Sequence, residues 1–182
     1  MSRLTAGQKA SISFAKRFGN DMVAALNNKP IFFSVMLTIA STESGFGRSF
    51  SARNRNNFFG IMKSKWEQRT FASPQQCFEY WVELLTTRSW YVNARVTTAK
   101  TPEEQIKAMA RGGYYSANND TKSTLPPNLQ AKYGRVSNQE SADWYYKKNK
   151  QKLDVILEVL PIGKISNQNY ASYSQLIQNV NV

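Results

Sequence analysis

Histidine is absent from the 182-residue chain, and cysteine occurs once, at Cys77. Without imidazole there is no His-ligated zinc site, no Ser-His-Asp triad and no Cys-His protease pair. A lone cysteine closes no intrachain disulfide and supplies no thiolate cluster for a metal. Lying near a helix start with no His partner, Cys77 reads as a buried structural thiol. Acids are scarce as well: 12 Asp+Glu stand against 24 Lys+Arg, a formal charge of +12. Acid–base chemistry must therefore come from a small set of carboxylates, from Tyr, from Lys or from Cys77. No metal or organic cofactor is implied.

Long apolar runs are also missing. The longest, "IFFSVMLTIA" at 31–40, is too short to span a bilayer. The opening "MSRLTAGQKASISFAKRF" lacks the apolar stretch of a secretory signal. The expectation is a soluble chain synthesised in the cytosol, without a signal peptide or membrane span. A hydrophobic share of 41% and a length of 182 residues suit one compact domain with a real core. The positive excess favours a polyanion, whether nucleic acid, anionic lipid or an acidic wall polymer, and charge does not choose among them. With no helix-turn-helix and no aromatic RNP-type signature, specific nucleic-acid binding is not expected.

The periodicity predicts a mainly α protein. Ile12, Ala15, Gly19, Met22, Val23 and Leu26 share one face of a helix over 8–27, with Lys9, Lys16 and Arg17 off that face. "NNKP" ends it, and Pro30 suits the first turn of a second, nearly all-apolar helix over 30–42. Residues 56–73 read as irregular chain with at most a small β-hairpin, Ile61–Lys63 against Arg69–Ala72. Ser73-Pro74 opens a helix to Thr87 with Trp81 facing the core. Thr101-Pro102-Glu103-Glu104 opens another, which ends at Gly112-Gly113. Trp90-Tyr91 reads as packing. Residues 114–138 are polar and turn-rich, a long loop with some local structure. The capping pair Ser137 and Glu140 starts a last helix to Leu160. The expected organisation is one domain over 1–162 and a polar tail over 163–182, the latter a flexible arm or a segment ordered by a partner.

In "IASTESGFGRS" (39–49) the most hydrophobic segment ends on a carboxylate, Glu43, followed by Gly45 and Gly47 around Phe46. A carboxyl held against apolar side chains resists ionisation and can serve as a general acid toward a glycosidic oxygen. Phe46, Phe50, Phe58 and Phe59 are the aromatics expected around it. The bland alternative is a solvated residue at a helix end, although the C-terminal dipole disfavours an acid there.

Four stretches in order, "IASTESGFGRS", "NNFFGIMK", "RTFASPQQCFEYWVELL" and "ARGGYY", resemble glycoside hydrolase family 73, the peptidoglycan β-N-acetylglucosaminidases of the flagellar rod-cap hydrolase and autolysin type. The similarity covers residues 30–160. It implies a lysozyme-like α-helical domain with a very small β-hairpin lobe. The family's general-acid glutamate, in an "ALESGWG"-like motif, corresponds to Glu43. Its "NLFGIK" stretch corresponds to Asn57 through Lys63, with Phe58 where Leu is usual, and its "FR.Y.S" resembles Arg69 through Ser73. A sugar-lining tyrosine in "GYATD" corresponds to Tyr114. The resemblance thus implies Glu43 and Tyr114 as catalytic residues; with Glu67 as a further catalytic candidate, the expected substrate-binding residues are Phe46, Asn57, Phe59 and, from its place in the hairpin region, Trp66.

Two departures accompany it. The family's β-lobe often carries a second acid, and here the short segment offers only Glu67, read as a solvated turn residue or as the second catalytic carboxylate. After Tyr114, residues 115–138 intervene before the last helix, carrying Asp120, Lys122, Lys132 and Arg135. For Trp66, stacking on a pyranose and simple packing are both open. For Arg48, Arg53 and Arg55, a solvated rim and contact with anionic wall polymer are both open.

The sequence therefore points to cleavage of the GlcNAc–MurNAc β-1,4 bond of peptidoglycan, with Glu43 as proton donor and Tyr114 positioning the sugar. The expected setting is bacteriophage: an endolysin or a virion-borne enzyme, the tail contacting other virion proteins. The alternatives are a lytic transglycosylase of the same fold and a non-catalytic tail protein that binds cell wall.

Overall fold

The computed structural model describes residues 4–160 together with Gln178 and Val180. The predicted tail, 163–182, otherwise lies outside the described residues. Among these the chain is helical and has no strand. The helices are α1 (Ala6–Leu26), α2 (Phe33–Glu43), α3 (Phe50–Arg55), α4 (Pro74–Thr87), α5 (Ser89–Asn93), α6 (Pro102–Arg111), α7 (Pro127–Gln130) and α8 (Asn138–Val159). No described helix is long and apolar enough to cross a membrane. Contacts divide the chain into two compact units. One combines the chain up to Glu83 with the chain from Gln151 onward, and the other is Leu84–Lys150.

In the first unit α1 opens on a capping box. The Gln8 N–H donates to Thr5 Oγ1 at 3.2 Å, and the Thr5 N–H donates back to Gln8 Oε1 at 2.8 Å. The apolar face read from the sequence is the buried one, with Ile12, Ala15, Met22 and Leu26 inside, and α1 packs on α2. Every residue of α2 from Phe33 to Ser41 is buried, as its nearly all-apolar sequence requires. Its start differs from the expectation. The N–H groups of Lys29 and Ile31 donate to Leu26 O and Lys29 O, folding "NNKP" into a tight turn. That turn buries Ile31 and leaves Pro30 outside a helix that begins at Phe33.

Phe18 and Phe58 rings lie 4.7 Å apart, Phe58 and Phe78 5.1 Å apart, and Phe59 stacks on Trp81 at 4.5 Å and 10°. Trp81 is thus core, as read. The expected hairpin contracts to one antiparallel bridge, Met62 with Gln68. Asn57 explains the contraction. Its Nδ2 donates to Ile61 O at 2.8 Å and Arg69 O at 2.9 Å, and its Oδ1 accepts the Ile61 N–H at 2.9 Å. With both ends of the loop tied to one buried amide, only a short excursion fits between them. Ser73 caps α4 through the Gln76 N–H at 3.2 Å. Behind it the buried Cys77 accepts the Phe58 N–H at 3.5 Å, and burial pushes its thiol up to about 12. Such a thiol is not a nucleophile near neutrality.

In the second unit Thr101 caps α6 through the Glu104 N–H, and the Ser137–Glu140 box caps α8. Gly112 leaves no room for a side chain, since a Cβ there would fall 2.6 Å from the Tyr91 ring. Tyr91 packs as expected, but Trp90 is exposed. The 114–138 stretch is more ordered than its composition suggests. It contains two 3-10 turns and α7, and it closes a small cluster of Ala117, Leu125, Leu129 and Val136.

Candidate active site

Glu43 is the last residue of α2, and the chain reverses directly behind it. Three successive residues take left-handed backbone angles: Gly45 (φ 56), Phe46 (φ 58) and Gly47 (φ 76). For a phenylalanine this costs about 1–2 kcal/mol. The turn is held by the Phe46 N–H to Ser41 O (2.9 Å), the Ser49 N–H to Ser44 O (2.9 Å) and the Gly47 N–H to Ser44 Oγ (2.8 Å). These bonds cover carbonyls that a helix end leaves open. At Gly47 a Cβ would lie 3.1 Å from the Phe18 ring, so the residue needs both the positive φ and the missing side chain.

Packing offsets the strain at Phe46. Its ring meets Phe14 edge-on at 6.1 Å, and the Lys152 ammonium of α8 sits 4.5 Å from its centroid. Burial pushes the pKa of Lys152 down, while the field of Glu43 acts in the opposite direction. This cation beside the turn is therefore partly desolvated and electrostatically coupled to the carboxylate.

The expected apolar enclosure of Glu43 is not present in the free protein. Glu43 is exposed, Phe50 points to solvent at 67% exposure, and Phe58 is buried in the aromatic core. A helix end that reverses within a few residues leaves its last side chain outside the core.

The remaining candidates in the first unit divide. Phe46 is half-buried at the turn, and Trp66 is 85% exposed at the loop tip with Lys65 Nζ 4.7 Å from its ring. The packing reading of Trp66 is thereby removed. Asn57 and Phe59 are buried, one with its amide engaged by the loop and the other stacked on Trp81. Both side chains are thus engaged within the loop and the core. Glu67 is exposed and pairs with Lys63 at 3.3 Å. Arg48, Arg53 and Arg55 lie at the surface, Arg55 partly buried with its guanidinium 5.8 Å from the Phe50 ring.

Tyr114 belongs to the second unit. It follows Gly113 (φ 91) at the end of α6, its N–H donates to Met109 O at 3.0 Å, and its half-buried ring is tilted against Tyr145 at 6.1 Å. Next to it Tyr115 stacks on Tyr145 at 4.5 Å and donates to Asp120, which also pairs with Lys148 at 3.1 Å. Of the 115–138 residues singled out from sequence, Asp120 thus secures Tyr115. Lys122, Lys132 and Arg135 are exposed.

Lys152 was not legible in the sequence, where it is one of several lysines in "KKNKQK". The signal available was its spacing from Leu153 and Ile156, which places it at the edge of the buried face.

A family model described as Glucosaminidase: Mannosyl-glycoprotein endo-beta-N-acetylglucosaminidase matches residues 19–181. Neither the curated proteins nor the solved structures gave a match.

Proposed function

The chain belongs to the Glucosaminidase family and is a glycoside hydrolase acting on peptidoglycan, and from that premise we propose that Glu43 is its single proton-transferring carboxylate. The observation that carries this reading is the position of Glu43: an exposed acid at the end of a buried helix, ahead of a strained turn that the fold takes pains to hold. Strained backbone of this kind gathers at functional sites.

In this scheme the bond cut is the β-1,4 link between GlcNAc and MurNAc. The acetamido oxygen of GlcNAc attacks its own anomeric carbon, forming a cyclic oxazolinium, while Glu43 gives its proton to the departing glycosidic oxygen. Water then opens the ring and returns a proton to Glu43. Tyr114 steadies the acetamido group or the developing positive charge, and Trp66 offers a stacking face. The ion pair of Glu67 with Lys63 at the loop tip supports leaving Glu67 out of the chemistry. The proposed setting is wall degradation by a bacteriophage, with residues 163–182 contacting other virion proteins. The excess of 24 Lys+Arg over 12 Asp+Glu suits an acidic wall.

Mass spectrometry of digested peptidoglycan tests the reading. Fragments that have gained water and end in reducing GlcNAc are expected. Fragments ending in 1,6-anhydro-MurNAc would make the protein a lytic transglycosylase, and undigested strands would make it a wall-binding module. Glu43→Gln should abolish clearing of cell suspensions, a loss of at least about 10²-fold, with circular dichroism and melting temperature unchanged.

A further inference from the structure

Lys9, Arg17 and Arg48 share one groove. About 530 Å³ in volume, it follows the exposed side of α1 past Lys9, Ser13 and Arg17 to Phe46 and Arg48 in the turn after Glu43, with Phe14 beneath. No acid lines it. Two other cavities carry acids: the one at Arg95 and Arg111 also contains Glu104, and the one at Trp144 contains Glu140 and Asp143. Among the described residues, Lys9, Arg17 and Arg48 form no ion pair. The two guanidinium groups lie against aromatic rings, Arg17 4.8 Å from Phe18 and Arg48 6.0 Å from Phe46.

These features specify a ligand chemistry. Three unpaired cations above an aromatic floor repel each other until an anion arrives, and the floor reduces the water that would screen it. Arginine forks match the two oxygens of a carboxylate or phosphate. Lys9 and Arg17 are eight residues apart on α1, about 12 Å along its axis, so the groove is long enough for more than one anionic group. We propose that it is a subsite for the carboxylates of the peptide stems borne by the glycan strand being cut. The inference rests on the peptidoglycan reading above. It selects stem carboxylates because the groove ends five residues beyond Glu43 in the chain, and stems recur along the reacting strand at its MurNAc residues, whereas phosphodiester polymers are joined to it at sparse points.

Steady-state kinetics of the full chain test this on three substrates: stem-bearing peptidoglycan stripped of phosphate polymers, the same material after an amidase has removed its stems, and walls retaining both. The Arg17→Gln/Arg48→Gln variant should raise KM about tenfold on the stem-bearing substrate, leave kcat unchanged, and behave like the unmodified chain on stem-free glycan. A Lys122→Gln/Arg135→Gln variant, which loses the same charge at exposed positions of the other unit, should change neither. An equal KM increase with and without stems overturns the proposal. So does an increase seen only where phosphate polymers remain, or one reproduced by the control variant. Failure of the unmodified chain to cut any of the three would remove the hydrolase reading, a result distinct from uniform cutting that ignores the stems.

Discussion

The Lys152 ammonium lies 4.5 Å from the centre of the Phe46 ring, and Glu43, three residues before Phe46, opposes the pKa decrease that burial imposes on it. The coupling is mutual: a lysine cation that feels the carboxylate also favours the carboxylate's charged form. Replacing Lys152 with Met keeps the apolar contact with Phe46 and removes the charge. A proton donor at Glu43 would then remain protonated to higher pH. The alkaline limb of the kcat/KM profile should move upward in Lys152→Met. A profile identical to that of the unmodified chain would show that this coupling does not reach the reaction.

Gly45 and Gly47 share a positive φ but not a reason for it. Space around Gly45 is open, while a Cβ on Gly47 would press on Phe18 at 3.1 Å and Phe58 at 3.4 Å. Gly45→Ala should lose only the backbone cost, about 1–2 kcal/mol. Gly47→Ala should lose that and about 1–3 kcal/mol more from overpacking. Urea midpoints compare the two, and equal losses would mean that the Phe14–Phe18–Phe58 cluster yields at no cost.

Glu140 gives the fold a defined acid dependence. Its carboxylate accepts from Lys132, and from the Ser137 N–H and hydroxyl at 3.1 and 2.8 Å, which together bring its pKa from 4.5 down to about 2. A depressed folded-state pKa stabilises the protein above the unfolded value and loses that effect as pH falls through the folded one. Glu140→Gln should therefore melt lower than the unmodified chain at neutral pH, and the two melting curves should converge between about pH 4.5 and 2. A gap that persists at pH 2 would assign the difference to packing instead of charge.

Helix starts were legible because they rest on local chemistry: Ser73, Thr101 and Ser137 each cap the helix that their sequence announces. Pro30 misled because its turn is closed by backbone bonds at Lys29 and Ile31 that no side chain signals. The order inside 114–138 was missed since Leu125, Leu129 and Val136 are isolated apolar residues in a polar stretch, and only tertiary closure joins them. At the site, the position of Glu43 followed from the end of an apolar run. Its exposure did not, because the aromatics adjacent in sequence turn away: Phe58 inward and Phe50 into solvent. Asn57 illustrates the same limit. A buried amide bonded to Ile61 and Arg69 and an amide awaiting a sugar are one letter in the sequence.

The proposed division of labour between Glu43, Glu67 and Tyr114 predicts an unequal response to three conservative changes. Glycosidases with two working carboxylates hold them about 5–9.5 Å apart, depending on stereochemical outcome. Glu67 stands at the tip of a loop with a single bridge, exposed and paired with Lys63. Its carboxylate is engaged by Lys63 at an exposed loop tip, which leaves it poorly placed to aim a water or a nucleophile, since a base contributes only when held in hydrogen-bonding reach. If the acetamido group is the nucleophile, Glu67→Gln should retain activity within about tenfold, less than the 10²–10⁴-fold that a general base supplies. Tyr114→Phe should cost more, mainly in kcat, because it removes a hydroxyl that acts on the developing charge. The same variant should leave folding intact, as the Tyr114 ring keeps its contact with Tyr145. Rates on stem-free glycan, where wall affinity contributes least, give the cleanest comparison. A Glu67→Gln protein that binds peptidoglycan but is as inactive as Glu43→Gln would rule out the substrate-assisted scheme and make Glu67 the second catalytic carboxylate.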